Sequence, residues 1–482
     1  MEQRRSLKSS ALRGVFWSGV DKIFSKLFFA IIGLLLARVL LPEDYGLVGM
    51  LTIFLAVSQL LIDSGFSQAL VQRHNPTQTD YSTAFFFNIF VGVGCYLLLF
   101  FAAPFIADFY EAPSLILLLR VMSISLVTNS LTVVQRAKLL VNIDFRRLAL
   151  INVCSVTMGS TSALVAAYNG WGVWALAVQA VVTGVVTMVM YWVTGGWMPS
   201  IVFSKDSFRT LFKFGSKLLA AGFLATVVNN LYNLIIGKLY HKQELGYYQN
   251  GRQLSENISS TINDIINSVT FPLLSAIKED RGRLIDVYSR MLAMTAFIIF
   301  PVMTLAMLLA EPFVISVLTE KWLPAVPIIQ WLCMARMFTP ISSLNMNILN
   351  AVGRSDLFMK VDLLKLPLTL VAMAITLPIS IDAVVIGNFI VTFVCYFINA
   401  YLPGKMFGFG IVAQTKIFAK TILSTLIMAV TLILVCSFVD NNIVKLVVGI
   451  VVGLLSFVGA AWVLKIAELR EVLLIIKKVV KR

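Results

Sequence analysis

The chain carries little charge. Only 13% of its 482 residues are Asp, Glu, Lys or Arg, against about 25% in an ordinary soluble domain. A water-facing globule of this length is thereby excluded, and no stretch is polar and long enough to form a separate soluble domain. Histidine is limited to His74 and His241; they fall in connections on opposite sides of the spans, and neither has a companion at metal-ligand spacing. Cysteine is scarce, and all five (Cys95, Cys154, Cys333, Cys395, Cys436) lie in apolar runs. They read as small packing residues, so neither disulfides nor a metal site is expected. A nucleotide-binding P-loop, a zinc-protease motif and a Gly-rich dinucleotide turn are all missing, which removes ATP-driven chemistry within this chain and leaves no cofactor implied.

What is present is apolar. The composition is 59% hydrophobic and the mean hydropathy is +0.88. Runs of about twenty apolar residues recur along the whole chain, the length needed to cross a bilayer as a helix. The pattern predicts an all-α integral membrane protein of about fourteen transmembrane helices. The expected spans are 15–40, 46–71, 81–106, 114–136, 148–168, 171–194, 215–239, 246–275, 287–310, 324–350, 357–379, 382–403, 415–437 and 444–464. The apolar stretch behind Arg4, Arg5, Lys8 and Arg13 is too long for a signal peptide and lacks a cleavage site, so it is expected to stay as the first span.

The formal charge of +15 would suit nucleic acid if it formed a patch, but it does not. Most of the 39 Lys and Arg fall in one alternate set of connections, which is the positive-inside pattern. Both termini are therefore expected on the cytoplasmic side, with membrane lipids as partners and no nucleic acid. The tail residues Lys477, Lys478, Lys481 and Arg482 are expected to lie against anionic headgroups.

An internal repeat is also visible. Leu34-Leu35-Leu36-Ala37-Arg38 resembles Leu234-Ile235-Ile236-Gly237-Lys238, and Glu43-Asp44-Tyr45-Gly46 resembles Gln243-Glu244-Leu245-Gly246 at the same offset. Continued, it sets Asp63 opposite Asn263. The copies enter the membrane in one direction, so they should be related by a pseudo-twofold axis along the membrane normal. Gly195-Gly196-Trp197-Met198-Pro199 marks the boundary between halves. The expected domains are 1–200, an N-terminal six-helix bundle; 201–403, a C-terminal six-helix bundle; and 404–482, two added helices with a basic tail.

Polar residues inside apolar runs are costly and therefore informative. In the first span Ser18, Lys22, Ser25 and Phe29 share helical spacing, with Asp21 and Lys26 beside them. They imply either a hydrated, anion-attracting cavity or a buried Asp–Lys pair. Asn229, Asn230 and Asn233 share a face of the seventh span. Glu256, Ser260, Asn263, Asp264 and Asn267 stripe the eighth. Arg120 and Arg336 also lie within apolar runs, while Arg252 is near enough to the outer surface to snorkel. Asp63 suits a coupling proton or cation, or a partner for Lys22 or Lys26. The candidate substrate cavity thus comprises Asp21, Lys22, Lys26, Asp63, Arg120, Asn229, Asn230, Asn233, Asn263, Asp264, Asn267 and Arg336, with no catalytic or metal-binding set among them.

Several stretches carry a family resemblance. They include Ala37-Arg38-Val39-Leu40-Leu41-Pro42-Glu43-Asp44-Tyr45-Gly46, Asp63-Ser64-Gly65-Phe66, Asp80-Tyr81-Ser82-Thr83-Ala84, Tyr232-Asn233-Leu234-Ile235-Ile236-Gly237-Lys238, Glu320-Lys321-Trp322-Leu323-Pro324 and Gly353-Arg354-Ser355-Asp356. Their order and spacing resemble the Wzx-type lipid-linked oligosaccharide flippases, in the branch of WzxC-like colanic-acid exporters. The resemblance implies two six-helix bundles forming a V, alternating access, and a bacterial inner-membrane location. It also implies movement of undecaprenyl-pyrophosphate-linked repeat units to the periplasmic leaflet. Polysaccharide polymerase and export machinery would be partners, and a proton or sodium gradient a source of drive. Where relatives place first-helix arginines, this chain has Lys22 and Lys26, which meet phosphate as point charges. Two other readings remain beside it. One is an ion-coupled drug or metabolite extruder built around a carboxylate such as Asp63 or Asp264. The other is an intramembrane glycosyltransferase or polymerase using Glu43-Asp44, for which the short external turns leave little room.

Overall fold

The computed structural model describes residues 24–73 and 75–480. Among them there is no β-strand. Ten helices are long and apolar enough to cross a bilayer, so the chain is a multi-pass, all-helical membrane protein. It divides into two compact units, Met1–Gly246 and Tyr247–Arg482.

In the first unit α1 occupies 24–39, followed by α2 (Pro42–Asp63) and the short α3 (Phe66–Gln72). Pro42 supplies the fixed φ that suits a helix start, and the Asp44 carboxylate accepts from the Leu41 N–H at 2.9 Å. Ser64 (φ 46°) and Gly65 (φ 67°) then turn left-handed and break the span. Gly65 is needed there for a second reason, since a Cβ would come within 2.9 Å of the Gly215 backbone. Next come α4 (Gln78–Tyr110), α5 (Leu115–Met122), α6 (Ile124–Ser130) and α7 (Val133–Val141). Thr77 and Asp80 cap α4 reciprocally, at 3.3 and 2.8 Å. The fourth expected span is broken in three because hydroxyls of Ser123, Ser125, Thr128, Ser130 and Thr132 turn back onto carbonyls three or four residues earlier, which bends helices.

The unit continues through α8 (Phe145–Tyr168), α9 (Trp174–Gly195) and α10 (Lys205–Leu239). Ile32 and Leu36 of α1, with Leu40 just past its end, pack on Ala163, Ala166, Ala167 and Ala175, small residues that let helices approach closely in a membrane. The Gly195–Pro199 segment is anchored. Trp197 is buried, donates to Gln78 Oε1 at 2.6 Å, and offers its carbonyl to Gln135 at 3.0 Å. α10 packs against α2, α3 and α4, which carries the division between units past this segment to Gly246.

The repeat reappears in the helix boundaries. α1 ends at residue 39 and α10 at Leu239; α2 begins at Pro42 and α11 (Lys242–Ala276) at Lys242. The two helix starts touch reciprocally. A Cβ on Gly46 would lie 1.7 Å from the Lys242 carbonyl oxygen, and one on Gly246 would lie 1.8 Å from that of Pro42. Glu43 pairs with Lys242 at 2.6 Å. Both carboxylates of that turn, Glu43 and Asp44, thus have structural partners.

The second unit holds the rest of α11, then α12 (Arg281–Leu308) and α13 (Ala310–Phe313). A π turn (Val314–Leu318) and a 3-10 turn (Glu320–Ala325) follow. Beyond these come α14 (Val326–Arg336), α15 (Thr339–Ala351), α16 (Ser355–Thr376), α17 (Ile381–Phe407), α18 (Ile411–Ser437), α19 (Asn442–Val463) and α20 (Ala467–Val480). The expected span 324–350 is two helices, and Pro340 falls in the first turn of the second, where its missing N–H leaves no helical hydrogen bond unmade. α11 and α16 fall outside the ten apolar helices: α11 adds Asn257, Asn263, Asn267 and several hydroxyls to Arg252, Glu256 and Asp264, and α16 carries Asp356, Lys360, Asp362 and Lys365. In α16, Lys365 is held 2.5 Å from Asp362 and donates to Asn399 at 3.1 Å.

Tyr288, Asn345 and Gln414, all buried, form a hydrogen-bonded cluster tying α12, α15 and α18. Gly449 and Gly453 receive Leu309 and Leu305, a small-residue groove of the kind that packs membrane helices. α20 docks Leu469, with Ile466 just ahead of the helix, on Phe297, Phe457 and Ala461.

Candidate functional site

A cavity of about 430 Å³ opens within the first unit, at the end bearing the basic connections. Each of five helices contributes polar groups. α2 supplies Gln59 and Asp63, one helical turn apart; α6 supplies Asn129; α7 supplies Arg136; α8 supplies Asn152; and α9 supplies Thr187 and Tyr191. The break at Ser64-Gly65 ends α2 directly after Asp63, which leaves its carboxylate at the cavity instead of inside a continuing helix. The bends through α5, α6 and α7 do the same for Asn129 and Arg136.

The hydrogen bonding is partial, which is what a ligand site requires. Asn129 Nδ2 donates to Gln59 Oε1 at 3.0 Å. Asn152 Nδ2 donates to Ser25 Oγ of α1 at 3.2 Å. Asp63 Oδ1 is buried and accepts from no donor among the described residues. Arg136 is exposed, and no ion pair joins it to Asp63 among the described residues. Among the described residues, one carboxylate and one guanidinium are the charged groups on the lining. Arranged with amides, hydroxyls and the Tyr191 ring, they can take a polar ligand bearing an anionic group on Arg136.

Of the residues expected to line a cavity, Asp63 does so. Asp21 and Lys22 lie outside the described residues, as do His74, Lys481 and Arg482. Lys26 is half-buried on α1, next to Ser25, and is not on the cavity lining. Arg120 is held elsewhere: its Nε donates to the Phe100 carbonyl at 3.2 Å, and its guanidinium sits 4.2 Å over the Phe100 ring. On α10, Asn229 is exposed, Asn230 turns back on Thr226 at 2.8 Å, and Asn233 is buried.

In the second unit, Arg336 Nη2 lies 2.6 Å from Glu256 Oε1, and Arg252 Nε lies 3.1 Å from the same oxygen. Two guanidiniums thus share one carboxylate, and the Arg336 Nε is buried without a partner among the described residues. Ser259 Oγ donates to the Arg336 carbonyl at 3.1 Å. Asn267 accepts from Ser343 at 3.1 Å and Asn347 at 2.7 Å, both on α15. Asn263 has a buried Oδ1 without a partner among the described residues, and Asp264 is exposed. Sequence reading missed Gln59, Asn129, Arg136 and Asn152. Arg136 closes the expected span 114–136, where a basic residue reads as ordinary positive-inside charge; the spacing Gln59–Asp63 on one helical face was the available signal.

Comparison with known proteins places this architecture. The profile of a family described as polysaccharide biosynthesis protein matches residues 35–327. The teichuronic acid biosynthesis protein TuaB of Bacillus subtilis is 27% identical over 302 residues, covering 62% of this chain and 62% of that one. The match therefore spans less than two thirds of that relative's length. The lipopolysaccharide biosynthesis protein WzxC of Escherichia coli K12 is 24% identical over 372 residues, 75% of this chain and 74% of its own. Among solved structures, the lipid II flippase MurJ in an inward closed conformation superposes with a TM-score of 0.73 at 16% identity, over 93% of this chain and 98% of that one. At that identity the likeness concerns the fold.

Proposed function

The chain belongs to the polysaccharide biosynthesis protein family, and from that premise we propose that it is a flippase for lipid-linked oligosaccharides. The substrate is an undecaprenyl-pyrophosphate-linked repeat unit, moved from the cytoplasmic to the periplasmic leaflet of a bacterial inner membrane by alternating access. In this reading the chain crosses the membrane fourteen times, as two six-helix bundles and two C-terminal helices, with both termini cytoplasmic. It works beside a polysaccharide polymerase and export machinery.

The observation that carries the proposal is the cavity. A polar pocket with the Arg136 guanidinium on its lining, built into apolar spans, suits a sugar–phosphate headgroup while the polyprenyl tail remains in lipid. Arg136 offsets the desolvation of the phosphate, and Gln59, Asn129, Asn152 and Thr187 hydrogen-bond sugar hydroxyls. Catalysis plays no part in this reading.

Asp63 also suits an ion-coupled extruder of drugs or metabolites, so the test must separate the two. Purified protein in proteoliposomes is expected to flip a labelled polyprenyl-pyrophosphate oligosaccharide and not to move cationic dyes. Arg136→Ala should slow flipping about ten- to hundredfold, the loss of one charged hydrogen bond. Dye transport abolished by Asp63→Asn, with no flipping by wild type, would select the extruder.

A further inference from the structure

We propose that the connection between α9 and α10 is a membrane anchor, in which Met198, Ile201, Val202 and Phe203 enter the lipid leaflet on their side and the cations beginning α10 hold its anionic headgroups. Such an anchor depends on the membrane-spanning fold and not on what the chain transports.

Connections between spans are ordinarily polar, because they face water. Here four of the six residues from Met198 to Phe203 are large and apolar. Ile201 is 96% exposed, and Met198, Val202 and Phe203 are exposed around it. Single exposed apolar side chains are commonplace, but a contiguous group marks a surface that something covers. The backbone beneath this group is fixed at both ends. Gln135 Nε2 donates to the Trp197 carbonyl at 3.0 Å, and Gln78 Nε2 to the Met198 carbonyl at 2.8 Å. The Ser200 N–H donates to Ser82 Oγ at 3.0 Å, and the Ser204 N–H to Thr83 Oγ1 at 3.1 Å. The tip is thus presented and not folded back onto the unit, and little ordering entropy is left to lose on binding.

The same hydrogen bonds set its depth. Ser82 and Thr83 lie just inside the expected span 81–106 of α4, so the tip between Ser200 and Ser204 sits at the edge of the hydrocarbon layer. Tyr81, Trp192 and Trp197, joined by ring contacts with one another or with Phe85, are the residue types that favour this level of a bilayer. Beside the tip, α10 opens with Lys205, Arg209, Lys213 and Lys217, all exposed and one turn apart, against the single acid Asp206. The neighbouring Asp80 is engaged by Arg73 at 2.9 Å. An apolar insert rimmed by cations matches a leaflet that is apolar inside and negative at its surface. A soluble protein would have to reach the tip through the headgroups. The anchor bears on the cavity through α7, where Gln135, which holds the Trp197 carbonyl, precedes Arg136 of the lining.

The test is the reactivity of single thiols toward an impermeant polyethylene glycol maleimide. It uses the full chain in nanodiscs of phosphatidylcholine, with or without phosphatidylglycerol. Ile201→Cys is compared with Glu279→Cys in the connection from α11 to α12; both side chains are exposed, so neither substitution disturbs packing. Wild type, whose five cysteines lie in apolar runs, gives the background. Moving even one large apolar side chain out of water shifts an equilibrium about tenfold or more, so in the anionic nanodisc Ile201→Cys should react slower than Glu279→Cys by at least that factor. Both thiols should react alike in denaturing detergent. Omitting phosphatidylglycerol should weaken the protection, and Lys205→Gln with Arg209→Gln and Lys213→Gln should remove the difference between the two lipids. Reaction of Ile201→Cys as fast as Glu279→Cys in the anionic nanodisc would overturn the anchor. Equal protection in the two lipids would overturn the part given to the cations. No oligosaccharide is used, so either outcome is independent of whether the chain flips one.

Discussion

Gly46→Ala and Gly246→Ala are each expected to cripple the protein, although alanine is the better helix former. In an open helix the change would stabilise by up to about 1 kcal/mol. Here the added methyl would meet backbone: the Lys242 carbonyl oxygen at 1.7 Å for Gly46 and the Pro42 carbonyl oxygen at 1.8 Å for Gly246. A flexible side chain could step aside, but a peptide group at a helix start cannot move without moving the helix. Overpacking of this kind costs about 1–3 kcal/mol where side chains relax, and a backbone obstacle belongs at or above the top of that range. Thermal denaturation of the purified protein should show both variants markedly destabilised, with export lost in cells. Gly33→Ala, Gly94→Ala and Gly459→Ala should keep wild-type stability, since a Cβ there meets nothing within 4 Å. The neighbouring Glu43–Lys242 pair is largely exposed, and exposed pairs contribute about 0–1 kcal/mol. Glu43→Gln should therefore be nearly silent. If Glu43→Gln were the damaging change and the alanines harmless, charge and not close packing would hold the two helix starts together.

The second large effect is expected at Glu256. Its Oε1 serves Arg252 at 3.1 Å and Arg336 at 2.6 Å. Glu256→Ala removes the carboxylate that two cations share, four-fifths or more of each side chain being buried. Breaking a buried pair from one side costs about 3–5 kcal/mol. Glu256 itself is 38% exposed, so water screens part of the loss and about 2–3 kcal/mol is the better expectation. Removing one cation as well should recover most of it, so Glu256→Ala combined with Arg336→Leu is expected to be more stable than Glu256→Ala alone. A double-mutant cycle on detergent-solubilised protein reads this directly. Additive losses would mean that Arg336 does not depend on Glu256 for its charge balance.

Both effects show what the sequence discloses and what it hides. Helix positions were legible because long apolar runs admit little else in a membrane, and the expected boundaries of α4, α8, α9, α17, α18 and α19 lie close to those observed. The repeat was legible too: the fragments around Gly46 and Gly246 predicted equivalent helix starts, and these starts touch. The breaks were harder to see. Ser64-Gly65 and the serine–threonine run from Ser123 to Thr132 interrupt helices whose hydropathy continues unbroken, so an apolar count passes over them. Those breaks shape the cavity. Asp63 stood out as a charge in an apolar run, whereas Gln59, Asn129 and Asn152 are single amides on three helices, and nothing in one dimension brings them together. Arg336 was recognised as unusual, but its carboxylate partner lies on another helix. Lys365 gives a milder version, with its partner Asp362 one turn away on the same helix. α20 escaped notice because its apolar run is too short to span a bilayer. It folds back on α12 and α19 instead.

Movement of a lipid-linked sugar between leaflets is tested most directly by one measurement. In a strain lacking this protein, the inner- and outer-leaflet pools of lipid-linked glycan are separated by their accessibility to an impermeant glycan-directed reagent. Undecaprenyl-pyrophosphate oligosaccharide of full repeat length, trapped in the inner leaflet and released on re-expression of the wild type but not of Arg136→Ala, is the predicted result. A normal outer-leaflet pool, with surface polysaccharide undiminished and no second exporter present, would contradict it.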